Sequence, residues 1–62
     1  MYITEHAYLR AAQRLGWTRQ QLTKALPIAM KRGHPRDYGY VYNEVFFVLN
    51  AARDTLKTII LA

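Results

Sequence analysis

Cysteine is absent from this chain, and so is serine. Without cysteine there is no disulfide and no thiolate metal site. Without serine there is no serine–histidine nucleophile. Two histidines and four carboxylates are too sparse for a structural zinc site. No pair of carboxylates stands at a spacing that suggests acid–base work, and the three glycines are too scattered to form a phosphate-cradling loop. No metal and no cofactor are therefore expected. No apolar run reaches transmembrane length, and Met1-Tyr-Ile-Thr-Glu5 does not read as a signal peptide. No membrane partner and a cytoplasmic location are expected. Sixty-two residues make one domain, 1–62, close to the lower limit for folding alone. A chain that small with no covalent staple often relies on self-association, so a homodimer is expected.

Negative charge is scarce, and its placement is uneven. The net formal charge is +5. Between His6 and Arg36 there is no carboxylate at all, while Arg10, Arg14, Arg19, Lys24, Lys31, Arg32 and Arg36 give that stretch a local charge of +7. Glu5, Asp37, Glu44 and Asp54 all lie outside it. The first half is a cation and the second is near neutral. That asymmetry suits a polyanion or an acidic protein surface; it also suits a solvated helical face with no partner.

The N-terminal half reads as two helical segments. Met1, Tyr2 and Ile3 are apolar and suit a sheet edge or a staple on the first helix. Thr4 is a good N-cap, and the helix runs from there to about Leu15. Ala7, Tyr8, Ala11, Ala12 and Leu15 recur at steps of three and four and form its apolar stripe. His6, Arg10 and Arg14 are each four apart and line a different, outward face. Gly16 stands where a left-handed C-cap is wanted, and Trp17 is expected to fold back into the core. Thr18-Arg-Gln-Gln21 is a capping-box pattern that opens the second helix. Leu22, Ala25, Leu26, Ala29 and Met30 are its stripe. Pro27 removes the bond to the Thr23 carbonyl, so this helix either kinks or stops and restarts there. Gly33 and Pro35 end it, leaving Lys31–Arg36 as a basic loop.

The C-terminal half is rich in strand formers. Tyr38 to Asn50 is crowded with aromatic and β-branched residues, and Asn43-Glu44 divides it as a hairpin turn would. Asn50–Asp54 is a second connection, and Leu56–Leu61 a third strand. The expected architecture is α+β, with two N-terminal helical segments packed on a three-stranded antiparallel meander. A rival reading exists. Val45, Leu49, Ala52, Leu56, Ile59 and Ile60 also fall at helical spacing, which allows a helix over 44–61. The β-branched and aromatic content favours strands. The expected core is Tyr8, Ala12, Leu15, Trp17, Leu22, Leu26, Val45, Phe47, Leu49 and Ile59. Tyr38, Tyr40 and Tyr42 share one face of a strand and are either core or a stacking platform. Phe46 and Val48 oppose Phe47 and Leu49, so both faces of the sheet are partly apolar and one needs a partner.

The order of features is similar to that of a known group. His6-Ala-x-x-Arg10 on a first helix, a Leu-Gly turn, a second helix ending Lys-Arg-Gly, Tyr-x-Val-Tyr-Asn and a last strand with Leu-x-Thr-Ile follow one another. This resembles small bacterial and phage proteins of unknown function related to the RelE, barnase and colicin-D type ribonuclease fold, over most of the chain from His6 to Leu61. The resemblance implies helices packed on an antiparallel sheet and a toxin-like scaffold directed at RNA, active or degenerate.

Metal-independent RNA cleavage needs a base near the 2′-hydroxyl, a cation at the scissile phosphate and an acid for the leaving oxygen. His6 suits base or acid, Arg10 one turn along suits a phosphate fork, and Thr58 on the last strand suits a phosphate oxygen. Each also has an ordinary structural role open to it. His34 and Arg36 are alternatives. For polyanion binding the candidates are Arg10, Arg14, Lys31, Arg32, His34 and Arg36. Three function classes follow: an RNA-directed protein, possible endoribonuclease included; a small phage inhibitor docking on an acidic host defence or regulatory protein; and a DNA-binding module. Ala11-Ala12-x-x-Leu15-Gly16-Trp-Thr18 followed by a helix favours the last, but Pro27 falls within what would be the recognition helix.

Overall fold

The computed structural model describes all 62 residues. The chain is α+β: strand β1 (Tyr2–Ile3), helices α1 (Glu5–Leu15) and α2 (Arg19–Arg32), then strands β2 (His34–Arg36), β3 (Gly39–Tyr42), β4 (Val45–Leu49) and β5 (Thr55–Leu61). The strands form one mixed sheet in the order β1-β5-β4-β3-β2. The meander β3-β4-β5 is present, and the helical reading of 44–61 is wrong. The expectation of three strands is too few. Tyr2 and Ile3 pair in parallel with Thr55 and Leu56, and His34–Arg36 pairs antiparallel with Gly39–Val41. The basic segment is therefore not a loop: Lys31 and Arg32 close α2, and the rest is an edge strand. Pro35 is tolerated there because an edge strand has one side without ladder partners.

Local signals place the helices as the sequence suggests. The Thr4 hydroxyl accepts the Ala7 N–H at 3.0 Å and donates to the Lys57 carbonyl at 3.0 Å, so one side chain both caps α1 and ties it to β5. Gly16 takes φ 67°, and the N–H groups of Gly16 and Trp17 close on the carbonyls of Ala12 and Ala11. Thr18 and Gln21 complete a reciprocal capping box, with bonds of 2.8 and 3.1 Å. The helix α2 runs through Pro27 without interruption. Pro27 is exposed, so the carbonyl it leaves unpaired is on the solvent side, where water can take it. The turn Asn43-Glu44 has both residues at positive φ, 51° and 65°, the signature of a two-residue hairpin that matches strand twist. Across the other connection, Asn50 Oδ1 accepts the N–H groups of Asp54 and Thr55 at 3.0 and 3.2 Å.

Both helices cover the same face of the sheet. Helix α1 lies over β5 and α2 over β3. Between them and the sheet are Ala7, Ala11, Leu22, Leu26, Ala29, Val45, Phe47, Leu49, Leu56 and Ile59, all buried. Leu56 joins this set although it is three residues from Ile59. The register slips between Val48 and Leu49, which leaves Lys57 as an extra residue on β5. Ala12, expected in the core, is exposed, because α1 turns only its Ala7–Ala11 edge inward. Tyr8, Leu15 and Trp17 are half-buried at the margin, with the Trp17 ring 6.2 Å from that of Phe47. Tyr40 and Tyr42 pack against the core, while Tyr38 falls in the β2–β3 turn and is exposed.

Candidate nucleic-acid interface

The other face of the sheet has no cover. Side chains alternate along a strand, so the neighbours of the buried residues point away from the helices. Val41 pairs with Phe46, Phe46 with Ile60, and Val48 with Thr58. None of these is fully buried, and Ile60 is 43% exposed. His34, the partner of Val41, and Arg36, the partner of Gly39, extend this face along β2.

Phe46 lies at the centre of the arrangement. Its ring leans over Gly39, so close that a Cβ there would lie 3.1 Å from Phe46 Cε1 and run into the Phe47 carbonyl. The absent side chain makes room for the ring. The Arg36 guanidinium then lies 5.1 Å from the ring centroid. A cation held on an aromatic face is a cation–π contact, and a nucleobase stacks on that ring once the guanidinium swings off it to a phosphate. No carboxylate opposes it from the strands. All four acidic residues lie elsewhere, Glu5 in α1 and Asp37, Glu44 and Asp54 in turns.

The candidates read from sequence do not gather at one place. His6 and Arg10 are together on α1, with Arg10 Nε donating to His6 Nε2 at 3.4 Å and Nη1 donating to Gln13 at 2.9 Å. Thr58 is on the uncovered face, across the sheet from α1, so the three proposed catalytic side chains do not converge. Arg14 donates to the Ile59 carbonyl and is engaged with the outer side of β5. Lys31, Arg32, His34 and Arg36 belong to the opposite edge. With β5 and β2 three strands apart, the two basic groups are separated by about 14 Å in the sheet direction. Arg19 is neutralised by a bidentate bond to Glu5, 3.0 Å to each oxygen, and lies 3.7 Å over the Tyr8 ring. That fork holds the Glu5 carboxyl below its ordinary range and raises the Arg19 guanidinium. It is the only ion pair in the molecule. No three histidine or carboxylate groups cluster as metal ligands would, and no helix is long and apolar enough to cross a membrane.

Phe46 is read from the sequence as opposing Phe47, but not as a binding residue. Alternation from the Asn43-Glu44 turn puts Phe46 on the face away from Phe47, but its partner Arg36 stands in a segment that looks like loop. No protein-family model matches the chain, and no curated protein or solved structure matches it either.

Proposed function

We propose that this chain binds single-stranded RNA on the uncovered face of its sheet, as an RNA-directed protein on a ribonuclease-like scaffold. The observation that carries this reading is the Phe46 ring packed at Gly39 with the Arg36 guanidinium over it. Around it are Val41, Val48, Thr58 and Ile60, an aliphatic and hydroxyl surface with no carboxylate. A base stacks on such a ring whatever its sequence, and cations beside it hold the backbone. The ribonuclease resemblance favours RNA over DNA. Cleavage is a weaker part of the proposal, because His6 and Arg10 are distant from this platform. A second copy of the chain is the competing occupant of the same half-exposed apolar face.

The test is fluorescence anisotropy with labelled oligouridine, oligothymidine and duplex DNA over a salt series. Oligouridine should bind most tightly, with affinity falling steeply as salt rises. Arg36→Ala and Phe46→Ala should each remove most of it. Retained affinity in both variants, with loss in Arg10→Glu, would move the site to α1. Absence of any salt-sensitive binding would end the nucleic-acid reading and favour a protein partner. Light scattering on the free chain reports whether a second copy holds the face instead.

A further inference from the structure

A second feature lies on the helix side of the molecule, where the C-terminal end of α1 and the middle of α2 meet the β3–β4 hairpin. An open cleft of about 400 Å3 runs between Leu15 and Trp17 on one side, Ala25 and Ile28 on another, and Tyr42 and Phe47 on the floor. That volume is in the range of sites that hold a small ligand or one or two side chains. Asn43 is its one polar wall residue. Beyond Ile28 the surface continues as a shallow shelf formed by Pro27, Lys31, Arg32 and Tyr42. Ile28 and Tyr42 belong to both, so the apolar cleft and the basic shelf form one continuous surface.

Ile28 is out of place on a solvated helix. It is 46% exposed, while Leu22, Leu26 and Ala29 of the same helix are buried. Lys31 and Arg32 make no ion pair, and Glu44, the carboxylate next along from Asn43, lines neither the cleft nor the shelf. An apolar hole with two uncompensated cations at its mouth has a definite complement. It needs bulky apolar groups to fill it and carboxylates one or two residues away to meet the cations. A nucleobase fits less well, because its polar edge would meet apolar walls, aromatic and aliphatic, with Asn43 as the one polar lining residue.

We infer that this cleft docks an acidic segment of a partner polypeptide, anchored by a large apolar side chain beside Trp17 and held by its carboxylates at Lys31 and Arg32. This site is separate from the Phe46 platform and does not depend on it.

The test is selection of a random peptide display library on the immobilised wild-type chain. Enriched sequences should join Leu, Phe or Trp to neighbouring Asp or Glu. One enriched peptide, synthesised, should alter the fluorescence of Trp17, the single tryptophan. Its affinity should fall at least tenfold in Ile28→Glu and in the Lys31→Glu/Arg32→Glu double variant, all at exposed positions, and stay unchanged in Phe46→Ala. Circular dichroism checks that both variants remain folded, and the charge double variant carries the test if Ile28→Glu does not. The inference is overturned if nothing enriches, if enriched peptides lack acidic residues, or if both variants bind as wild type does. Displacement of the peptide by oligouridine, or a wild-type dimer that Ile28→Glu dissociates, would also overturn it, since the cleft would then belong to RNA or to a second copy.

Discussion

Phe46 and Phe47 are adjacent in sequence and point to opposite faces of β4, so replacing each in turn separates stability from binding. Phe47 is 1% exposed. Truncating a buried phenylalanine to alanine costs about 3–5 kcal/mol, from lost transfer energy and the cavity left behind. At about 0.05–0.15 kcal/mol per residue, 62 residues give a total of about 3–9 kcal/mol. Phe47→Ala should therefore remove at least about a third of the stability, and all of it at the low end of that range. Phe46 is half-buried and leaves no enclosed cavity. Its loss should cost about 1–2 kcal/mol, from roughly half a side chain of apolar area and the contact with Arg36. Its effect should appear in RNA binding, where a lost stacking partner is worth about 1–3 kcal/mol per base, a factor of about 5 to 150. Urea unfolding followed by Trp17 fluorescence is the stability assay, since the indole sits 6.2 Å from the Phe47 ring. Oligouridine anisotropy is the binding assay. If Phe46→Ala unfolds the chain and Phe47→Ala is tolerated, the pairing of β4 is off by one residue and every face assignment made from it reverses.

Gly39→Ala should destabilise by about 2 kcal/mol or more, because the added methyl runs into the Phe47 carbonyl; a wild-type melting temperature would show that β3 and β4 are further apart than described. Trp17→Ala should cost about 1–3 kcal/mol, less than for a fully buried indole, because Trp17 is half-buried at the rim of the cleft; complete unfolding would place it in the core. Acid should weaken the fold from one direction only. The Glu5 carboxyl is held low by the Arg19 bond and charge, and Asp54 by bonds from Asn50 and Thr55. A carboxyl whose folded pKa is depressed stabilises above its unfolded pKa and loses that contribution as pH falls through the folded one. The melting temperature should thus be level from neutral to about pH 5 and fall below about pH 4. Glu5→Gln should flatten that fall, and an equal fall in Glu5→Gln and Asp54→Asn would assign it to other groups.

Much of the fold is legible in the sequence wherever a signal is local. Thr4, Gly16, Thr18 and Gln21 act as their chemistry says, and Asn43-Glu44 turns the hairpin. Of the two edge strands, β1 is legible as apolar residues suited to a sheet edge, and β2 is not. Three residues cannot display a period, and Pro35 carries breaker chemistry that tertiary pairing overrides. Ala12 fails as a core residue because a helix lying on a sheet buries a narrower stripe than its full run of small residues. The interface is legible only in halves. Arg36 is visible as a cation and Phe46 as an outward aromatic, but their meeting depends on β2 pairing with β3. The cleft is less legible still, since its walls come from four elements far apart in the chain.

The bond from Arg14 to the Ile59 carbonyl has a consequence for self-assembly. Strand β1 covers only Thr55 and Leu56, so the remaining outer side of β5 is a free border to which another strand could add. Arg14 occupies an acceptor there, as Thr4 occupies the Lys57 carbonyl. At the far border, β2 includes Pro35, which has no N–H to offer. Both rims of the sheet thus carry a plug, which disfavours growth by strand addition while one apolar face stays open. Replacing Arg14 would remove one plug as well as a charge, so Arg14→Ala should aggregate faster on concentration or shaking than Arg10→Ala, although the two lose the same charge.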